Sequence, residues 1–440
     1  MPRLAVFVSL AIVLSAATLR AQTVPLVGNH PKIESAQIQG PLDPQKELTL
    51  EITFALRNPS ALAKLQAEQQ QPGSPNYRHW LTPDEFNAQF GPTPEDFKAV
   101  SDWLSQQGFT IVESNPAARY IRVSGPVSLV ESTFAVHQLS MGDSIFANDR
   151  DPQIPARFQN VIASIQGLDN MRAAVALKKK LATSRPITAA HSTTDNLKLA
   201  MLKDSGATQS EGIAQPETTH NGVTAFAPND VYTFYDANPL LNSGITGSGC
   251  IAIVGDSNFL ASAVAMFNTT FGVPTETVNV VLSSNKNGTY TNPGITSDEP
   301  ESLLDIEWAH AAAPGTSVNF YLGDNNNTVN GSIFDGIRRA VSDNACPVIS
   351  VSFGLCGYND SFYTGTYDPI AAQAAAQGQS ILIASDDVGA AAFVLNSKQT
   401  ECVPGTTRGV NELSADPNVT SVGGSSFNPN YDQNGDDIST

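Results

Sequence analysis

The sequence predicts an α/β domain built on a parallel sheet, preceded by a compact α+β unit with an antiparallel sheet. Three observations carry this. In the second half, buried-type strands at Ile251–Val254, Val278–Leu282, Ser317–Tyr321, Pro347–Val351 and Ser380–Ala384 alternate with helical stretches. Those stretches lie at about 258–268, 299–313, 330–342 and 367–377, the spacing of crossover helices between parallel strands. Upstream, Glu47–Leu56 alternates polar and apolar residues, the period of a half-buried strand. Between the two, Lys178 to about Thr219 is rich in Ser, Thr, Ala, Gln and Pro and poor in aromatics, which reads as a linker open to proteolysis.

The elements follow in order. Met1-Pro2-Arg3, an apolar run Leu4–Leu19 and the small-residue site Ala21-Gln22 form a signal-peptide pattern, so the chain is expected to be secreted, extracellular or periplasmic. No later apolar run reaches the length of a membrane helix, so no membrane association is expected. After the strand at Glu47, Asn58–Gln69 reads as a capped helix. Thr82 caps a second helix containing Glu85-Phe86, and Pro92-Thr93-Pro94 opens a third that runs to about Gln107. Strands at Phe109–Glu113 and Tyr120–Ser124, a helix at Pro126–Phe134 and a strand at Ala135–Leu139 complete the first unit.

Charge is unevenly placed. From Asn221 onward there are 5 Lys+Arg against 22 Asp+Glu, a net of −17; everything before sums to −1 (19 minus 20). A surface with so few fixed cations gains little positive charge when its carboxylates protonate, which limits self-repulsion in acid. It is a poor partner for nucleic acid or anionic membranes. Four cysteines, Cys250, Cys346, Cys356 and Cys402, all lie in this acidic half. Their spacing matches no zinc site, and in an exported chain they permit two disulfides in three pairings. Cys356–Cys402 is favoured because each follows a predicted strand end.

The chemistry concentrates on Ser297–His310. Pro300 in the first turn and Pro314-Gly315 at the end bound a helix, on which Glu301 and Asp305 lie one turn apart on one face. Two such carboxyls cannot both ionise cheaply and can share a proton. The competing reading makes Glu301 the partner of Asp298 in a capping box and leaves Asp305 solvated. Asp386-Asp387 directly follows the strand Ser380–Ala384. It is either a turn or a cap, or it holds a protonated acid able to donate to an oxyanion. Ser352 and Gly354, at the end of another strand, are candidate substrate-binding residues. From Asn221 onward, His310 is the one histidine, and it stands nine residues past Glu301. That is about 13 Å along a helix, too far to share a nucleophile or a metal with the pair. Carboxylates would have to perform any proton chemistry.

At this point the sequence resembles the sedolisin family of serine-carboxyl peptidases, the kumamolisin-like group, in proenzyme form. Pro75–Thr82, Phe86 and Phe90-Gly91-Pro92 resemble its activation domain; Gly244–Gly249 with Ile251–Val254 resembles the start of its catalytic domain. Glu301-x-x-x-Asp305 followed by Ala313-Pro314-Gly315 matches its Glu/Asp helix. Ser385–Gly389 aligns with its Ser-Gly-Asp-Ser-Gly, and Val422–Ser425 with its Val-Gly-Gly-Thr. The resemblance implies a subtilisin-like catalytic domain, here incomplete at its C-terminus, behind a ferredoxin-like prodomain. The implied division is 1–21 signal peptide, 22–178 activation prodomain, 179–222 linker with the processing site, and 223–440 partial catalytic domain.

It further implies that Glu301 is the general base for a serine nucleophile, that Asp305 orients it and shares its proton, and that Asp387 is the oxyanion donor. Asp386 and Val388 depart from the family's Gly and Ser. The family nucleophile lies in Gly-Thr-Ser-x-x-x-Pro, which this chain lacks; Gly315-Thr316-Ser317 leads into a strand with no proline following. The family's calcium site would lie later still. Calcium is therefore expected for a complete family domain and not within this chain, Asp432–Asp437 reading as a polar loop. The expected partners are protein or peptide substrates and the chain's own prodomain as an intramolecular inhibitor, with the protein a monomer. The alternative is a non-catalytic secreted binding or inhibitory module on the same fold.

Overall fold

The computed structural model describes residues 22–33, 38–142, 144–176, 218–220, 223–225, 227–398 and 401–424. The expected signal peptide, most of the linker, and Asp432–Asp437 lie outside the described residues.

The N-terminal region is mixed α/β. Strand β1 (Glu47–Phe54), helices α1 (Pro59–Gln70), α2 (Pro83–Phe90) and α3 (Pro94–Gln107), strands β2 (Thr110–Asn115) and β3 (Tyr120–Pro126), helix α4 (Val127–Phe134) and strand β4 (Ile162–Gln166) follow in order. The strands form an antiparallel sheet in the order β2-β3-β1-β4. Local signals set the helices. Thr82 and Glu85 close a reciprocal capping box on α2, and the Thr93 hydroxyl accepts from the Asp96 N–H to start α3. One sheet face is apolar: Leu48, Leu50, Ile52, Phe54, Ile121 and Val123 pack on Trp103, Leu104 and Phe134. The alternation predicted for β1 is present, but the second half of its polar side does not face water. Glu51, Thr53, Arg122 and Ser164 are all buried on the opposite face, because the second half of the molecule covers it.

That second half carries a parallel six-stranded sheet in the order Val278–Leu282, Ser317–Leu322, Cys250–Gly255, Val348–Val351, Ser380–Ala384 and Thr420–Val422, consistent with a subtilisin-like catalytic domain. Its elements are β6 (Cys250–Gly255), α5 (Ala261–Phe271), β7 (Val278–Leu282), α6 (Glu299–Ala312), β8 (Ser317–Leu322), α7 (Ser332–Asp343) and β9 (Val348–Val351). They continue through β10 (Phe353–Cys356), α8 (Asp368–Ala376), β11 (Ser380–Ala384), β12 (Ala391–Leu395), β13 (Cys402–Arg408) and β14 (Thr420–Val422). Central strands β6, β8, β9 and β11 are apolar because helices cover both faces. Strand β10 and the β12–β13 hairpin were not read from the sequence. Disulfides join Cys250 to Cys346 and Cys356 to Cys402, the second tying the hairpin to β10.

The two halves meet through a buried charge network. Glu51 on β1 accepts from Arg122 Nε at 2.8 Å, Arg338 Nη1 at 2.7 Å and Asn330 Nδ2 at 2.7 Å. Arg122 also donates to Glu113 at 2.9 Å and to the Asn285 carbonyl at 2.7 Å, and Arg338 Nη2 to Asp335 at 2.8 Å. Burial alone would raise the Glu51 carboxyl, but Arg338 and Arg122 hold it below the usual range. Nearby, buried Arg119 reaches from the N-terminal half to Gln373 Oε1 at 2.6 Å and the Pro369 carbonyl at 3.3 Å. The Trp80 ring lies on Gly378 (φ 76°), where a Cβ would sit 2.6 Å from the indole. Only glycine combines that backbone conformation with that approach.

Removing one partner of a buried ion pair strands the other charge and costs about 3–5 kcal/mol. Arg122→Ala should therefore lower the unfolding free energy by about that amount in chemical denaturation. Lys98→Ala, which breaks the exposed Lys98–Asp102 pair, should cost at most about 1 kcal/mol. Because Glu51 titrates below its unfolded value of 4.5, its contribution is present above that pH and is lost as pH falls through the folded value. Melting curves of Glu51→Gln should be flatter than wild type on that acid side.

Candidate active site on the helix Glu299–Ala312

Helix α6 starts with Pro300 in its first turn and acidic Glu299 and Glu301 at its positive end. Asp298 occupies the N-cap, but its side chain makes no capping hydrogen bond, so the capping-box reading does not hold. The helix is fixed by other groups. Glu299 Oε1 accepts from the Leu260 N–H at 3.1 Å and the Ser302 hydroxyl donates to the Ser257 carbonyl at 2.9 Å. Leu303 and Ile306 pack with Ile253, Phe320 and Leu322 of the sheet. Glu301 is buried and Asp305, one turn on, is half-buried. Both lie toward the carboxyl ends of the strands, where parallel sheets place their sites.

Asp305 is engaged from the sheet. The Ser352 hydroxyl, between β9 and β10, donates to Asp305 Oδ1 at 2.7 Å. Burial pushes the Asp305 carboxyl up to about 7, against the Ser352 hydrogen bond that opposes the shift. Gly354 lies in β10, and β10 is not an open edge. Strand β5 (Ala173–Ala176), at the end of the N-terminal region, pairs with it antiparallel: Ala173 opposite Cys356, Ala174 opposite Leu355, Val175 opposite Gly354 and Ala176 opposite Phe353. Gly357 (φ 85°) admits this segment, since a Cβ there would meet the Met171 carbonyl at 2.1 Å.

Asp386 and Asp387 follow β11, whose neighbour in the sheet is β9, so they stand at the same end as Ser352. Asp387 is exposed and Asp386 half-buried, the reverse of what an Asp387 held partly buried requires. Asp386 has φ 123°, a conformation suited to the glycine of the resembled motif, and its Oδ1 accepts the Asp387 N–H at 2.6 Å. Burial raises the Asp386 carboxyl, while backbone N–H groups of Asp387, Val388 and Phe393 favour its charged form. The Asp386 carboxylate thus bonds within its own turn, at a backbone conformation that costs a non-glycine residue strain. Asn411, missed in the sequence, donates to the carbonyls of Phe353 at 3.1 Å and Ala384 at 2.9 Å and so ties the ends of β10 and β11. A lone Asn in a loop gives no sequence signal for that role.

With this geometry in place, the chain can be set beside known proteins. Residues 34–171 match the pro-kumamolisin activation domain family. The chain is also 28% identical to xanthomonalisin of Xanthomonas sp. (strain T-22), over 93% of its own length and 49% of the relative's. It is 27% identical to sedolisin of Pseudomonas sp. (strain 101), over 86% and 59%, and 25% identical to kumamolisin of Bacillus sp. (strain MN-32), over 83% and 61%. The chain thus spans about half to three fifths of the length of these relatives. The match to the sedolisin–kumamolisin peptidases is at the level of the family and extends across both halves.

Downstream of the activation-domain match, the far end of α6 holds a separate polar cluster. His310 Nε2 bonds the Pro274 carbonyl at 2.8 Å, and Nδ1 stands 3.3 Å from Glu276 Oε2. It is buried, as is Glu307 three residues before it on the same helix. Among the described residues, no group of three or more His, Cys, Asp or Glu is arranged to hold a metal ion, and no helix is long and apolar enough to cross a membrane. Burial, and then the neighbouring Glu276, push Glu307 up to about 8 from 4.5. The folded chain therefore holds this proton more tightly than the unfolded one. The resulting stabilisation is full below about pH 4.5 and is lost as pH rises through about 8. Glu307→Gln, which mimics the protonated acid, should keep a higher melting temperature than wild type at pH 8 and converge with it near pH 4.5.

Proposed function

We propose that this chain belongs to a secreted, acid-acting serine-carboxyl endopeptidase made as a self-processing proenzyme. In this reading residues 22–178 are a ferredoxin-like prodomain, whose β-α-β-β-α-β connectivity and antiparallel sheet fit that description. Residues 179–222 are the processed linker and 223–440 a part of the catalytic domain. The observation that carries the proposal is the antiparallel pairing of β5 with β10, directly after a serine bonded to Asp305. An extended segment of the chain's own N-terminal region occupies the strand edge that an extended peptide substrate would use.

Glu301 acts as general base and takes the proton of a serine hydroxyl as its oxygen attacks the scissile carbonyl. Asp305, one turn away, orients Glu301 and shares its proton. The carbonyl oxygen becomes an oxyanion, for which Asp387 is the assigned hydrogen-bond donor. Protonated Glu301 then returns its proton to the leaving amine, giving an acyl-enzyme, and water repeats the sequence to release the acid. A base of this kind contributes about 10²–10⁴ in rate, and one oxyanion donor about 3 kcal/mol. A carboxylate base suits acid, where imidazole would be charged. Residues 1–440 contain no Gly-Thr-Ser-x-x-x-Pro. The acyl-forming step is accordingly assigned to a polypeptide that includes that motif, and residues 1–440 alone are inactive.

The test is to express residues 1–440 and a polypeptide extended in frame through that motif, acidify both, and follow mass. The extended form should shed its N-terminal region, the shorter form should not, and Glu301→Gln in the extended form should slow shedding at least 100-fold. Shedding by residues 1–440, or by the Gln variant at the normal rate, would overturn the assignment.

A further inference from the structure

Ser352 was expected to touch substrate, yet its hydroxyl is directed into the protein, at 2.7 Å from Asp305 Oδ1. Its backbone joins two strands with different tasks. On one side β9 is locked in the sheet, with Val351 opposite Val254 on β6 and Ile383 on β11. On the other, Phe353 opens β10, whose partner is the N-terminal strand β5. Asn411 pins the Phe353 carbonyl from a third element. A residue held this tightly on both sides has little freedom to move its side chain independently of β10.

We infer that Ser352 is a positioning residue that fixes the Asp305 carboxyl and couples it to occupancy of the β10 edge by an extended peptide. This rests on the peptidase reading only for its catalytic consequence; the coupling itself is a property of the folded chain. A hydroxyl donated to Oδ1 fixes the carboxyl plane and distinguishes that oxygen from Oδ2. A strand added to or removed from β10 shifts the Ser352 backbone and with it this hydrogen bond. Other ionisable groups at this end of the sheet are Glu301 on the same helix, Asp256 after β6, Asp324 after β8 and the Asp386–Asp387 turn after β11. The Ser352 hydroxyl bonds Asp305 directly and favours its charged form.

The test titrates Asp305 by carboxyl carbon NMR in residues 1–440, with Asp305→Asn assigning the resonance. Wild type is compared with Ser352→Ala, Ser352→Thr and Ser352→Cys. Loss of a hydrogen bond to a charged acceptor should raise the proton affinity of Asp305 about tenfold or more in Ser352→Ala. The Thr variant should restore the wild-type midpoint, and Cys, a weaker donor, should fall between. An unchanged midpoint in folded Ser352→Ala overturns the inference. If that variant does not fold, equal midpoints for Thr and Cys overturn it instead. Deleting residues 173–176 should also displace the Asp305 midpoint in wild type but not in Ser352→Ala; an equal displacement in both rejects the coupling. In the extended, self-cleaving polypeptide, Ser352→Ala should shift the pH dependence of cleavage, with Thr restoring it. No cleavage by any form would count against the peptidase reading while leaving the Asp305 titration to decide this one.

Discussion

The Glu51 carboxylate, held between Arg122 and Arg338, is the contact on which the assembly of this molecule depends. It is buried in the polar face of a four-stranded sheet, and the second arginine comes from a helix more than 280 residues away in sequence. Two arginines and the carboxylates Glu51 and Asp335 out of water would be prohibitive separately, and each is tolerable only because the others are present. The N-terminal sheet therefore cannot leave α7 one interaction at a time. Breaking the contact exposes several uncompensated charges, which gives the interface an all-or-none character that an apolar seam of equal area would lack.

The carboxyl groups of the molecule respond to protons with opposite signs. Glu51 is held below its usual range by two cations. Asp305 and Glu307, on α6, are pushed upward by burial, with Glu276 adding to the shift of Glu307. Asp335 is also raised, chiefly by burial and in spite of Arg338 and Arg122. Acid thus weakens the Glu51 side of the interface while favouring the folded form around α6. Few fixed cations in the acidic half further limit repulsion as its carboxylates neutralise. The same proton that loosens one seam suits the body it covers.

Much of the architecture was legible because its determinants are local. Pro300 and Pro314 bound α6, Thr82 and Thr93 start α2 and α3, and the apolar runs of β6, β7, β8, β9 and β11 lie within a residue or two of their observed limits. What could not be read depends on partners distant in the chain. The alternation of β1 foretold an apolar face, but nothing nearby in sequence says that Glu51 meets Arg338. Likewise Ser352 at the end of β9 invited a substrate role, and only the position of α6 shows where its hydroxyl goes. The turn at Asp386 read as a departure from glycine; its positive φ and the Asp387 N–H show how an aspartate serves there.

The ladder between β5 and β10 has a consequence for strength as well as position. Its hydrogen bonds come from the backbone, and a four-residue strand free in solution would bind such an edge weakly, because ordering it costs more entropy than so few contacts return. Here β5 begins seven residues after the end of β4, itself anchored in the N-terminal sheet. The short connection gives the strand an effective local concentration in about the millimolar range, so occupancy of the edge is set by the tether rather than by intrinsic affinity. Severing the chain between β4 and β5 would leave every hydrogen bond of the ladder chemically possible and yet let the strand drift away by dilution.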